Sequence, residues 1–183
     1  MSDSERLKEL LIERSVKTGT FILASGKRST YYIDARLTTM SPEGMDVIGR
    51  LGLDRLEAEK WCPDSVGGLT LGADPVAYAI SHTSASTSRP LRAFTVRKEA
   101  KTHGTRKRIE GPFTTGDKVA VIEDVITTGK SALDAAAAVE EAGGHVLGIL
   151  AIVDRLEGGR EAIEQRGYRV ISLTTIEELG ISS

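Results

Sequence analysis

The chain is predicted to fold as an α/β protein whose central, mainly parallel sheet is covered by helices on both faces. Three observations lead there. From residue 65 onward, short apolar runs alternate with helix-length stretches, the pattern of consecutive βαβ units. The apolar runs at 119–122 and 146–153 are continuous, which marks strands buried on both faces. The chain has 183 residues, 40% hydrophobic and 27% charged, enough to bury a core without staples in one domain spanning 1–183.

Taken in order, 4–16 reads as a helix. Leu7, Leu10 and Leu11 fall at helical spacing, Ser4 is placed to cap the start and Gly19 to end it. Short strands follow at 20–24 and 30–34 around a turn at 25–29. Pro42, just after Ser41, opens a helix running towards residue 60. Then come a strand at 65–68, a helix at 73–81, a strand at 91–96 and a polar stretch at 98–112 that reads as loop. Beyond it lie a strand at 119–122, a helix at 129–142, a strand at 146–153, a helix at 157–166, a strand at 169–173 and a last turn at 176–179. Open parallel sheets bind ligands at the carboxyl ends of their strands, so functional residues are sought there.

Bulk properties exclude several classes. The formal net charge is −2, so no global basic field holds nucleic acid or a membrane surface. Cys62 is the only cysteine, which rules out an intramolecular disulfide and a multi-cysteine zinc site. The charged start, Met1-Ser-Asp-Ser-Glu-Arg6, is no secretory signal, and no apolar run approaches the roughly 18 residues needed to span a bilayer. A cytoplasmic location is expected.

The most informative stretch is Val119-Ala-Val-Ile-Glu-Asp-Val-Ile-Thr-Thr-Gly-Lys-Ser131. An apolar strand runs into two carboxylates, then into a loop of hydroxyls and glycine at the start of an alanine-rich helix. Unpaired N–H groups at a helix start carry partial positive charge and hold phosphate. Adjacent acids repel phosphate but accept from ribose hydroxyls or from the waters of a magnesium ion. Together they describe a ribose 5-phosphate site. The alternative is a strand-to-helix turn whose hydroxyls merely cap the helix. A P-loop is excluded, because Asp124 stands where that motif needs its first glycine.

This stretch resembles the phosphoribosyl pyrophosphate (PRPP) motif of the type I phosphoribosyltransferases. The resemblance implies that Glu123 and Asp124 take the ribose hydroxyls, and that Val125, Ile126, Thr127, Thr128, Gly129, Lys130 and Ser131 form the phosphate loop. It also implies Mg2+ as cofactor, carried by PRPP and met by Glu123 or Asp124 through water, with no direct protein ligand assigned. Many members have two aspartates, so Glu123 is a mild departure that keeps the carboxylate.

Arg97-Lys-Glu-Ala-Lys-Thr-His-Gly-Thr-Arg-Lys-Arg108 carries six Lys or Arg in twelve residues. Read alone, it is a solvated charged loop. Beside a PRPP motif it reads as a lid that neutralises the leaving pyrophosphate and excludes water. Its pattern is similar to the catalytic loop of the orotate phosphoribosyltransferases, which implies roles for Arg97, Lys98, Lys101 and His103, Lys101 foremost, in the neighbouring subunit's site of a homodimer. Arg106, Lys107 and Arg108 lie beyond the match.

At 153–159, Val-Asp-Arg-Leu-Glu-Gly-Gly puts an arginine just past a buried strand. An arginine there can pair with Asp154 or grip a carboxylate bidentately. The segment resembles the family's orotate-binding segment, which implies that Arg155 takes the orotate carboxylate, with Thr127 on the same ligand. The stretch 19–34 resembles the family's hood, formed mainly by about residues 1–40. Tyr31 and Tyr32 are candidates to stack on a pyrimidine, or core residues. Many bacterial members have lysine where Ala24 stands, and Lys27 is the candidate substitute. The glycine-rich 66–74 occupies the place of the pyrophosphate loop but contains no lysine, so charge contact must come from elsewhere.

The expected activity is transfer of the 5-phosphoribosyl group from PRPP to orotate, giving orotidine 5′-phosphate and pyrophosphate for UMP synthesis. The partners are those small molecules, with neither nucleic acid nor membrane. Two rivals stay in view. A purine or uracil phosphoribosyltransferase would leave Arg155 without a carboxylate to bind. A non-enzymatic PRPP-sensing regulator would need a DNA-binding helix pair or a basic face, and the sequence offers neither.

Overall fold

The computed structural model describes residues 1–22, 28–99 and 108–181. The first helix, α1 (Asp3–Leu10), starts one residue early. Ser2 rather than Ser4 caps it, in a reciprocal box with Glu5. The helical course continues as a π-helical stretch, Leu11–Ser15, and then converts directly into strand β1 (Val16–Ile22). Gly19, expected to end the helix, lies inside that strand. The physical reason is pairing: Val16, Lys17 and Thr18 register with Ile33, Tyr32 and Tyr31 of the antiparallel β2 (Arg28–Ile33), and that ladder outweighs local helical preference. Arg28 and Ser29, expected in a turn, belong to β2.

A short helix not foreseen in the sequence, α2 (Arg36–Thr39), follows the hairpin. Then α3 (Pro42–Ala58) begins as expected, with the Ser41 side chain accepting from the Gly44 N–H and proline in its first turn. The alternation that follows is the predicted one: β3 (Ser65–Leu69), α4 (Ala73–Ser84), β4 (Arg92–Val96), β6 (Lys118–Ile126), α5 (Lys130–Glu141), β7 (His145–Asp154), α6 (Gly159–Glu164) and β8 (Val170–Thr175). Among its described residues, the segment read as loop contains the two-residue β5 (Ile109–Glu110).

The larger sheet has the order β5-β4-β3-β6-β7-β8. Only β5 is antiparallel to its neighbour. Both faces are buried, as continuous apolar strands require. Ala120, Ile122, Leu150 and Ile152 join a core with residues of α1, α3 and α4. Val119, Val121, Ile149 and Ala151 face the other way, towards α5 and Ile163 of α6. The fold class is therefore the expected one. From β3 the chain leaves through α4 to β4 on one side, while β6 docks on the other. That reversal opens a crevice at the carboxyl ends of β3 and β6.

Candidate active site

The crevice is a cleft of about 320 Å³ at those strand ends. Its floor comes from β6, which runs four residues past its expected end, so that Glu123 and Asp124 lie within the strand rather than after it. Beyond them the chain turns at 127–129 into α5 and encloses a second recess of about 90 Å³, lined by Glu123, Val125, Ile126, Thr127, Thr128, Gly129, Lys130 and Ser131. Gly129, at the N-cap of α5, has no side chain to cap it, and among the described residues the Lys130 N–H meets only the Thr128 hydroxyl, at a long 3.5 Å. The first amides of α5 are thus donors without helical partners, the condition for holding an anion. Gly129 makes the turn possible. It sits at φ +77°, and an added Cβ would come within 2.7 Å of the Gly159 carbonyl oxygen.

The two acids differ in environment. Glu123 is buried. Loss of solvent, reinforced by the charge of Asp124, pushes its carboxyl up to about 9, so Glu123 is neutral at pH 7 in the unliganded protein. Asp124 is less buried, and its Oδ1 accepts from the Val125 N–H at 2.9 Å. The turn after β3 comes very close to it. A Cβ on Gly72 would lie 2.5 Å from the Asp124 carboxylate, so glycine lets Thr70, Leu71 and Gly72 form the cleft wall beside the acids. That turn is braced from behind, where Asp74 accepts from Thr70 Oγ1 at 2.7 Å and from Thr95 Oγ1 at 2.8 Å.

Arg155 closes the β7 side of the cleft. It is more than nine-tenths buried. Its Nε donates to Tyr31 Oη at 3.0 Å and its guanidinium lies 4.8 Å from the centre of that ring. Nη2 stands 2.7 Å from Glu157 Oε1, yet none of its N–H bonds is aligned on an acceptor among the described residues. A buried cation with a spare donor is costly unless something binds it. Asp154, the partner the sequence suggested, is taken instead by Arg160 at 2.7 Å and by the Leu156 N–H at 2.9 Å.

Opposite these groups stand Tyr32, Asp34 and Arg36 of the hairpin end and α2, together with Lys98 beyond β4. The hard oxygens of the acid pair, beside a recess of amides and hydroxyls, suit Mg2+, which takes one or two carboxylates and fills its shell from water and substrate phosphates. Among the described residues no group of three or more His, Cys, Asp or Glu could by itself hold a metal ion, so an ion here would rely on that mixed shell.

No protein-family model matches the chain. Over 182 residues, 98% of each chain, it is 47% identical to the orotate phosphoribosyltransferase of Aquifex aeolicus (strain VF5). The chain belongs to the orotate phosphoribosyltransferase family. The fold agrees: the Mycobacterium tuberculosis H37Rv orotate phosphoribosyltransferase in complex with Fe(III) dicitrate superposes with a TM-score of 0.86 at 46% identity, over 98% of this chain and 100% of that one. The same enzyme in complex with PRPP gives a TM-score of 0.83 at 42% identity, again over 98% and 100%.

Seen as an orotate phosphoribosyltransferase, the chain brings Glu123, Asp124, Val125, Thr127, Ser131, Arg155, Tyr32 and Lys98 to one cleft. Tyr31 and Tyr32 separate, as neighbours on a strand must. Tyr31 is buried against Arg155, and Tyr32 is exposed at the cleft. Arg97 is not in the cleft wall; it lies 3.6 Å from Glu110. Arg108 is engaged rather than free, pairing with Asp134 at 2.8 Å. Lys27, Lys101 and His103 lie outside the described residues. Sequence reasoning missed Arg36, Asp34 and the supporting pair Tyr31–Glu157. A signal existed only for the first two, in the charged Asp34-Ala-Arg36 that ends the hairpin.

Proposed function

We propose that this chain transfers the 5-phosphoribosyl group of PRPP to orotate, releasing pyrophosphate and forming orotidine 5′-phosphate for UMP synthesis. The observation that carries the reading is a cleft where the acid pair Glu123 and Asp124 and a buried arginine with a spare donor stand beside an adjoining recess of amides and hydroxyls. The 5′-phosphate sits on the amides and hydroxyls of 127–131. The ribose hydroxyls meet Glu123 and Asp124. The orotate carboxylate takes the free donor of Arg155, and Thr127 holds the ring beside it. Tyr32 supplies an exposed aromatic face at the same wall. Tyr31 acts behind Arg155 and does not touch the base.

In the reaction the bond from the anomeric carbon to the pyrophosphate oxygen breaks, and one forms to a ring nitrogen of orotate that binds already deprotonated. No strong base is needed. Catalysis rests on alignment and on cations that meet the charge growing on pyrophosphate. Lys98 is one of them. Lys101 and His103, with Arg97, act from the basic loop in the neighbouring subunit's site, which requires a homodimer. Mg2+, held by PRPP with Glu123 or Asp124 through water, neutralises the diphosphate when bound. No helix among the described residues is long and apolar enough to cross a membrane; the proposed location, carried by the likeness to the orotate phosphoribosyltransferases, is the cytoplasm.

The test is pyrophosphate release with PRPP and, in turn, orotate, uracil, hypoxanthine and adenine. Turnover with orotate alone is expected. Equal or better turnover with a base lacking the carboxylate would overturn the assignment, and no turnover with any base would overturn the enzyme.

A further inference from the structure

A diphosphate brings several negative charges, yet the turn beside it, 70–72, contains neither lysine nor arginine. Among the described residues, three cations line the cleft: Lys98, Arg155 and Arg36. Arg155 is committed to Tyr31 and Glu157 at the end of β7. Arg36 opens α2 and also lines the adjoining recess with Leu71, so it stands next to the turn that lacks charge.

The geometry of Arg36 suits an anion. Its Nε donates to Asp34 Oδ1 at 2.8 Å and its Nη2 to Asp34 Oδ2 at 2.9 Å. Asp34 is itself anchored, its N–H donating to the Ser15 carbonyl at 2.9 Å. One edge of the guanidinium is thereby fixed. Nη1 has no acceptor among the described residues, and the side chain is 43% exposed. An exposed pair this close in sequence stabilises a fold little. What it does well is hold a planar fork at a set angle, and such forks match phosphate oxygens.

We infer that Arg36 binds the diphosphate of PRPP and the released pyrophosphate, supplying the positive charge that the 70–72 turn lacks, with Asp34 as its positioning residue. This rests on the proposed reaction for its ligand but is tested without it. Binding of magnesium pyrophosphate and of ribose 5-phosphate is measured by calorimetry on the wild type, Arg36→Ala and Arg36→Lys, alongside KM for PRPP and orotate. Loss of one charge-assisted contact predicts that Arg36→Ala weakens pyrophosphate roughly ten- to a hundredfold. KM for PRPP should rise with it, while ribose 5-phosphate binding and KM for orotate stay within about twofold, the scatter usual for distant, independent sites. Arg36→Lys should recover part of the loss. Wild-type pyrophosphate affinity in Arg36→Ala would overturn the inference, as would an equal loss of ribose 5-phosphate binding, which would mean a distorted cleft. A wild type inactive on orotate would refute the reaction and leave the binding comparison standing.

Discussion

Truncating Arg155 to alanine perturbs the site at its most constrained cation. The side chain makes one hydrogen bond to Tyr31, one ring contact and one ion pair to Glu157, and keeps one donor unaligned. An orotate carboxylate on that donor is a charge-assisted contact worth about 1.5–3 kcal/mol, or roughly ten- to a hundredfold in the orotate KM. Removal also strands Glu157, so the negative charge left near the base site adds to the loss. The phosphate recess lies on a different loop, so KM for PRPP should change little. Initial rates against each substrate give the split. Tyr31→Phe refines it: losing only the hydroxyl that accepts from Nε should raise the orotate KM by a smaller factor, of the order of threefold for a contact near 0.5–1 kcal/mol, with the fold intact by thermal melting. An unchanged orotate KM in Arg155→Ala would refute the reasoning, and so would a PRPP KM that rose as much as that for orotate.

Three further outcomes are expected. Glu123 is held protonated by burial, its carboxyl at about 9 against an unfolded value of 4.5; a raised carboxyl contributes stability that is complete below the unfolded value and lost as pH climbs through the folded one. Glu123→Gln should therefore gain Tm over the wild type progressively between pH 5 and 9, by at most about 1.4 kcal/mol per pH unit, and parallel melting curves at all pH values would show that Glu123 is not buried in its neutral form. Gly72→Ala forces a methyl group within 2.5 Å of the Asp124 carboxylate, so KM for PRPP should rise at least tenfold with little loss of stability; wild-type kinetics would mean the turn moves freely. Lys101→Ala should lower kcat by roughly a hundredfold, the scale of one lost transition-state donor, while orotate affinity by equilibrium dialysis holds; equal turnover would remove the basic loop from the chemistry.

Much of this molecule was legible in its sequence because the signals were local. Continuous apolar strands, the Ser41–Pro42 helix start and the hydroxyl-glycine loop after β6 each report their own surroundings, and each stands where the residues placed it. Local signals failed where a distant partner competed. The helical reading holds to Ser15, but Val16, expected as its last residue, pairs with Ile33 and starts a strand, and Gly19 falls inside that strand instead of ending the helix. Tyr31 and Tyr32 are equivalent in sequence, and only the side of β2 that meets Arg155 divides one into the core and the other onto the cleft.

The sequence by itself determined the α/β class, the hydroxyl-glycine turn after β6, the acid pair and the arginine at the end of β7, since each depends on residue type and spacing along one short segment. Only the tertiary structure decided that Glu123 is buried with its carboxyl pushed up, which aspartate each arginine answers to, and that Arg36 stands in the cleft wall. Those outcomes depend on burial and on contacts between residues as far apart as Tyr31 and Arg155, 124 positions along the chain. Neither solvent exclusion nor long-range proximity is written in any local pattern.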